Sequence, residues 1–106
     1  MREAYLKRTI RDYLTVKRNL GELMFLRLNA GDLIIGDTEG KYRRRVLGCP
    51  PGTADFVVVK DGIPIFIEAK SDHGRQSKEQ RAFECMVLAC GAGYYLVKDW
   101  EQFEAI

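Results

Sequence analysis

The sequence predicts a single α/β domain in which helices flank a mixed β-sheet. The central observation is a pair of β-branched and aromatic runs, Phe56–Lys60 and Ile63–Ile67, separated by Asp61-Gly62. This dipeptide suits the two-residue type I′ turn of a β-hairpin. Stretches with helical periodicity lie before and after the hairpin, and a Tyr-rich run follows the second of them. With 106 residues and 46% hydrophobic side chains, the chain has material for one modest core.

The N-terminal half is predicted to form one helix and three short strands. Over residues 1–20 the apolar side chains of Leu6, Ile10, Tyr13 and Leu14 recur at steps of three and four and form a predicted buried stripe, and Gly21 ends the helix. The strands are predicted at residues 23–28, 33–36 and 41–47, with turns at 29–32 and 37–40. The third strand contains Arg43-Arg44-Arg45. This run either keeps an edge strand soluble or forms a ridge that contacts phosphates, with Arg43 and Arg45 on one side.

The C-terminal part is predicted to contain two helices with a strand between them. Ser77-Lys78-Glu79-Gln80 matches the S-x-x-Q capping box, in which the Gln80 side chain bonds back to the cap residue. Gly91 is expected to end this helix. A strand at Gly93–Val97 and a helix at 100–106 follow. The expected buried stripe of the first helix is Ala82, Phe83, Met86, Val87 and Cys90.

Composition and charge narrow the class of protein. No stretch approaches the ~20 apolar residues of a membrane span, and the charged N-terminus is unlike a signal peptide. The three cysteines have no metal-ligand spacing and are predicted to be free thiols in a reducing compartment. The net charge of +2 is small but unevenly distributed, since residues 1–45 carry eleven Lys and Arg against six acids. The basic half therefore favours an anionic partner, with no membrane involved.

Two acids and a lysine converge at the open end of the predicted hairpin. If Asp61 and Gly62 form the loop, counting back places Asp55 directly opposite Glu68, on a rung without hydrogen bonds. Their Cβ atoms would then lie roughly 4.5–5.5 Å apart, and Lys70 would share their face. Because like charges in such a pair repel, the arrangement predicts a bound cation or a shared proton. The alternative is an exposed strand with ordinary surface charges.

The order of motifs resembles that of the VRR-NUC (virus-type replication-repair nuclease) family of the PD-(D/E)XK superfamily. The resemblance covers nearly the whole chain, although Ala54 stands where the superfamily name has a proline. It rests on Arg27-Leu28-Asn29-Ala30-Gly31, Gly52-Thr53-Ala54-Asp55, Ile67-Glu68-Ala69-Lys70, Gly74-Arg75-Gln76-Ser77-Lys78-Glu79-Gln80, and Gly91 before the Tyr-rich strand.

The resemblance implies a restriction-endonuclease-like fold and a metal-dependent catalytic site. Asp55, Glu68 and the Ala69 carbonyl would hold Mg²⁺ or Mn²⁺, and Lys70 would act on the attacking water. Glu3 would reach the metal shell from the first helix, although it is also a first-turn acid that the helix dipole favours. The family places a glutamine near the metal at the position of Gln80. One side chain is not expected to serve both as this site residue and as a helix cap.

The resemblance also implies the substrate and the assembly. Small members of the family look like homodimeric enzymes that resolve Holliday junctions, so branched DNA is the expected substrate and no small molecule is. The expected location is the cytoplasm of a bacterial or phage-infected cell. Two alternatives remain, a nicking or restriction-like nuclease on ordinary duplex and a non-catalytic nucleic-acid-binding protein. The candidate DNA-binding residues are Arg8, Arg11, Arg43, Arg45, Arg75 and Lys78.

Overall fold

A four-stranded β-sheet with helices on both faces forms the centre of this computed structural model. The structure describes residues 2–31, 33–36, 43–46 and 48–106, with the backbone alone for 33–35 and 43–46. The elements are α1 (Glu3–Asn19), β1 (Met24–Arg27), β2 (Leu33–Gly36), β3 (Arg43–Val46), β4 (Phe56–Lys60), β5 (Ile63–Ala69), α2 (Lys78–Ala89), β6 (Gly93–Val97) and α3 (Trp100–Glu104).

The central sheet is mixed, as the sequence predicts. Its strand order is β1-β4-β5-β6. The pairs β1–β4 and β4–β5 are antiparallel, whereas β5 and β6 are parallel. Parallel neighbours need a crossover connection, and α2 supplies it. Strands β2 and β3 pair with each other in a separate antiparallel hairpin. The chain therefore folds as one α/β domain.

The β4–β5 hairpin forms at the predicted turn and in the predicted register. Lys60 pairs with Ile63, and Phe56 pairs with Ile67. Asp61 and Gly62 have φ angles of 56° and 81°, so both lie in the left-handed region that a type I′ turn requires. Strand β5 runs two residues further than predicted, to Ala69. This extension places Glu68 inside a strand that has neighbours on both sides.

Alternate residues of the sheet build two separate cores. Ile67 and Ala69 of β5 face the layer of α1 and α3, whereas Phe66 faces α2. The α1 stripe is confirmed in part, because Tyr13 is partly exposed and packs edge-on against the rings of Trp100 and Phe103. The buried members of the larger core are Leu6, Ile10, Leu14, Phe25, Phe56, Val58, Ile67, Ala69, Val97 and Phe103.

The predicted buried stripe of α2 is wrong at three positions. Val87 is buried and Phe83 partly so, but Met86 is 68% exposed, and Ala82 and Cys90 are also exposed. The reason is that α2 packs on the outer part of the sheet, next to the edge strand β6, and covers it with a narrow face. The predicted end of the helix is confirmed, since Gly91 has a φ of 87°.

Several predicted boundaries shift by one or two residues. Strand β2 has the predicted ends, whereas β1 and the terminal helix are shorter than predicted. Of the predicted strand 41–47, residues 43–46 are confirmed, and 41, 42 and 47 lie outside the described residues. The predicted turn at 37–40 and the last residue of the turn at 29–32 also lie outside them.

The loop before β4 fixes the start of α2. Gly52 has a φ of 91°, and a Cβ added there would come within 2.4 Å of the Glu79 carbonyl oxygen. Only glycine allows this close approach between the loop and the first turn of the helix. The loop thus holds the first turn of α2, and with it Gln80, near the start of β4.

Two composition-based predictions can be compared with the structure. All three cysteines are free thiols, as predicted. In the part of the chain that the structure describes, no helix has the length and hydropathy needed to cross a membrane.

Candidate active site

A polar cavity of about 310 Å³ opens at the end of the sheet where β4 begins and β5 ends. Helix α1, strand β1, strand β5 and helix α2 each contribute side chains to it. Five of the predicted site residues lie in its wall, whereas the sixth, Ala69, is fully buried and is not among the described lining residues. The charged and amide side chains of the wall are Glu3, Lys7, Arg27, Asp55, Glu68, Lys70 and Gln80.

Asp55 is held by the backbone of the strand opposite it. Its N–H donates to the Ile67 carbonyl (3.1 Å), and its Oδ2 accepts the N–H of Ala69 (2.8 Å). The predicted direct rung between Asp55 and Glu68 does not form, because the regular register ends at Phe56–Ile67 and the Asp55 N–H shifts to Ile67. The two acids are nevertheless near enough for the Asp55 charge to act on Glu68.

Two cationic side chains that the sequence did not single out approach the Asp55 carboxylate. Lys7 Nζ lies 3.2 Å from Oδ1, and Arg27 Nη1 lies 3.5 Å from the same atom. Lys7 Nζ is also 3.7 Å from Glu3 Oε1. Lys7 lies one helical turn after Glu3, and this spacing was the sequence feature that could have placed Lys7 near the site. Arg27 opens the first of the motifs quoted above, which was the signal for Arg27.

Glu68 is buried and only partly satisfied. It is 2% exposed, and its Oε1 accepts Gln80 Nε2 (3.1 Å) and lies 3.9 Å from Lys70 Nζ. Its Oε2 is buried with no hydrogen-bond partner among the described residues. Burial raises the pKa of Glu68 from 4.5 to about 7, with the Asp55 charge adding to the effect and the Lys70 ammonium opposing it. The ionised form of Glu68 therefore destabilises the fold, and its Oε2 remains available to accept a bond from a ligand.

Gln80 makes both of the contacts that were predicted as alternatives, one with the helix cap and one in the candidate site. Its side-chain Oε1 accepts the backbone N–H of Ser77 (2.8 Å), and its backbone N–H donates to Ser77 Oγ (3.1 Å). Its Nε2 donates to Glu68 Oε1. The expectation of a single contact is wrong because an amide carries its acceptor and its donor on different atoms. A glutamate would complete the same cap but could not donate to Glu68.

Gln80→Glu is therefore expected to destabilise the protein without removing the cap. At pH 8 the new carboxylate would face Glu68 Oε1, and we expect the free energy of unfolding to fall by about 1–3 kcal/mol. The loss should shrink towards pH 4, as carboxyl groups become protonated. Urea unfolding at pH 8 and at pH 4 measures this loss of stability.

The matched control for this substitution is Gln102→Glu on α3. Gln102 also bonds to the backbone ahead of its helix, since its Oε1 accepts the Lys98 N–H (2.7 Å). We expect a smaller effect there, because Gln102 is not part of the cavity wall. Equal stability losses for the two variants would mean that the contact with Glu68 contributes nothing of its own.

The four predicted DNA-binding residues whose side chains the structure describes lie outside the cavity wall. Arg8 and Arg11 are exposed on α1, and Arg11 pairs with its neighbour Asp12 (3.3 Å). Arg75 and Lys78 are exposed near the start of α2. The side chains of Arg43 and Arg45 are outside the described part of the chain, although both residues are in β3.

No family model matches this chain, and no curated protein matches it in sequence. The resemblance to VRR-NUC nucleases therefore stays a prediction that depends on the order of its motifs.

Proposed function

We propose that this chain is a Mg²⁺- or Mn²⁺-dependent endonuclease that hydrolyses phosphodiester bonds in branched DNA, on a restriction-endonuclease-like scaffold of the VRR-NUC type. The observation that carries the proposal is the buried Oε2 of Glu68, which has no partner among the described residues. A buried, half-satisfied carboxylate destabilises a fold, and such groups cluster at functional sites. A divalent cation is the ligand that would offset this cost.

The donor set fits a hard divalent ion. Carboxylate and carbonyl oxygens suit Mg²⁺ and Mn²⁺, and Mg²⁺ usually keeps several waters beside one or two protein carboxylates. Within the described residues no three His, Cys, Asp or Glu side chains are grouped to hold a metal. By the pattern of the family that the chain resembles, the ion would rest on Asp55, Glu68 and the Ala69 carbonyl, with Glu3 acting through water. When bound, it would polarise the phosphate and lower the pKa of a water.

Lys70 and Gln80 support this chemistry in different ways. Lys70 places its ammonium at the edge of the cavity, 3.9 Å from Glu68 Oε1, where it would orient the attacking water and offset negative charge on the phosphate. Gln80 holds Glu68 Oε1 through its Nε2 and so leaves Oε2 as the free acceptor. Because Gln80 is also tied to Ser77, the carboxylate is fixed to the start of α2.

DNA would approach the cavity along the elements that carry the candidate basic residues. Arg8 and Arg11 lie on α1, which also supplies Glu3 and Lys7 to the cavity. Arg75 and Lys78 lie at the start of α2, which supplies Gln80. With Arg43 and Arg45 of β3, these residues would contact phosphates, so affinity would fall with rising salt.

A two-fold dimer belongs to the same proposal, because two symmetric cuts in a junction need two active sites. The candidates for the interface are the Tyr94-Tyr95 strand and the Trp100 helix. Tyr94 is buried, and Trp100 is half-buried against Tyr13, so both have less surface to offer a partner than an exposed side chain has. Tyr95 is 44% exposed at the edge strand β6, and we place the dimer contact there.

The test is cleavage of a labelled four-way junction and of a linear duplex with Mg²⁺, Mn²⁺ or EDTA. We expect metal-dependent cutting of the junction, symmetric on two strands, and sedimentation as a dimer at micromolar concentration. Equal cutting of the duplex would favour the nicking or restriction-like alternative. Binding without cutting would identify a non-catalytic nucleic-acid-binding protein.

A further inference from the structure

Lys7 occupies the space between the carboxylates of Glu3 and Asp55. Its Nζ lies 3.7 Å from Glu3 Oε1 and 3.2 Å from Asp55 Oδ1. Asp55 is one of the two carboxylates proposed to hold the divalent ion. Lys7 therefore already neutralises a carboxylate that the ion would need.

When all three of its carboxyl groups are ionised, the described wall of the cavity is electrically balanced without any added ion. Among the described residues, its wall contains three carboxyl side chains and three cationic ones. A divalent cation entering such a site meets repulsion from the cations unless one of them moves away. The carboxyl groups are Glu3, Asp55 and Glu68, and the cations are Lys7, Arg27 and Lys70.

Of the two cations that contact Asp55, Lys7 is the better able to move. Arg27 is anchored to the backbone, because its Nη1 also donates to the carbonyls of Asp55 (2.9 Å) and Leu28 (2.8 Å). Lys7 has a flexible four-carbon stem, and its contacts in the cavity are to carboxylates. Its ammonium is a point charge that binds a phosphate oxygen as readily as a carboxylate.

We propose that Lys7 is a displaceable counterion of Asp55, which leaves when a divalent cation binds and then contacts a phosphate of the incoming DNA. This inference rests on the proposed nuclease function. It implies that metal and DNA bind cooperatively, because the ion frees an ammonium for the phosphate and the phosphate holds that ammonium away from the ion. The two effects must be equal in size, by linkage.

The first test is Mn²⁺ binding without DNA. The bound Mn²⁺ is measured from the decrease of the free Mn²⁺ signal in electron paramagnetic resonance. Lys7→Met is expected to bind Mn²⁺ about tenfold more tightly than the wild type, because the competing charge is gone. Lys7→Arg keeps the charge and is expected to bind like the wild type. The matched control is Lys17→Met on the same helix, since Lys17 pairs with Glu22 (3.0 Å) outside the cavity.

The second test is DNA binding in EDTA and in Ca²⁺. Ca²⁺ is used so that a divalent ion is present while cleavage of the DNA is limited. In EDTA we expect Lys7→Met to bind a four-way junction as the wild type does, because Lys7 is engaged with Asp55. In Ca²⁺ we expect several-fold weaker binding of the variant. The slope of log affinity against log salt should then fall by about 0.9, which is one phosphate contact.

Each outcome decides the inference. Tighter Mn²⁺ binding together with a DNA defect confined to Ca²⁺ supports it. If folded Lys7→Met binds Mn²⁺ no more tightly than the wild type does, and Lys17→Met binds it like the wild type, the counterion role alone is overturned. An equal DNA defect in EDTA and Ca²⁺ overturns the exchange between Asp55 and phosphate. Failure of both the wild type and Lys7→Met to bind Mn²⁺ overturns the metal-dependent function and this inference with it. Lys7→Gln replaces Lys7→Met if the latter does not fold.

Discussion

Glu68→Gln is expected to raise the free energy of unfolding at pH 8 by about 3 kcal/mol when no divalent metal is present, while junction cleavage is lost. The stability gain follows from the pKa of Glu68, which burial raises from 4.5 to about 7. Each unit of that difference corresponds to about 1.4 kcal/mol. A substitution that stabilises the fold and removes activity is the expected signature of a functional carboxylate.

The pH dependence of this effect has a definite sign. Below pH 4.5 the carboxyl is protonated in both the folded and the unfolded chain, so Glu68 has no charge to bury. Between pH 4.5 and 7 the unfolded chain loses the proton first, and the wild type is progressively destabilised relative to Glu68→Gln. The difference between the two proteins should therefore grow over this window and remain constant above it.

Urea unfolding of both proteins in EDTA, at intervals from pH 4 to pH 8, measures this difference. Glu79→Gln removes one negative charge from the exposed first turn of α2 and is the matched control. Added Mn²⁺ should stabilise the wild type by mass action and reverse the order of stability. A wild type as stable as Glu68→Gln throughout the range would show that the buried carboxyl carries no cost.

Lys70→Met is expected to lower the rate of junction cleavage by about 10³-fold while the fold and Mn²⁺ binding persist. The ammonium lies 3.9 Å from Glu68 Oε1, so its removal takes positive charge from the place where negative charge would build on the phosphate. A methionine keeps most of the volume of the stem and adds no charge.

Single-turnover cleavage with enzyme in excess separates this effect from slow product release. Lys60→Met, in the exposed residue before the hairpin turn, is the matched control and is expected to cut like the wild type. Unchanged cleavage by Lys70→Met would remove Lys70 from the site.

The parts of the fold that local chemistry decides were predictable from the sequence. Asp61-Gly62 selects a type I′ turn, and the turn alone sets the register from Lys60–Ile63 to Phe56–Ile67. That register brings Asp55 and Glu68 to one end of the sheet. The Ser77 cap and the glycine after α2 are likewise local signals.

The parts that depend on how elements dock were not predictable. Periodicity shows that α2 has an apolar face but not how much of the sheet it covers, so Met86 was wrongly placed in the core. The same docking brings Gln80 to Glu68 and leaves Glu68 buried. Lys7 reaches Asp55 only because α1 packs against β1 and β5, which brings together residues that are distant in sequence.

The most direct test of the central claim is a crystal structure of the protein grown with Mn²⁺, with anomalous scattering used to locate the ion. We expect one strong anomalous peak in the cavity, within bonding distance of Glu68 Oε2 and an Asp55 carboxylate oxygen, with Lys7 withdrawn from Asp55. A peak elsewhere, or a Glu68 Oε2 that remains without a ligand at saturating Mn²⁺, would contradict a metal-dependent active site at this position.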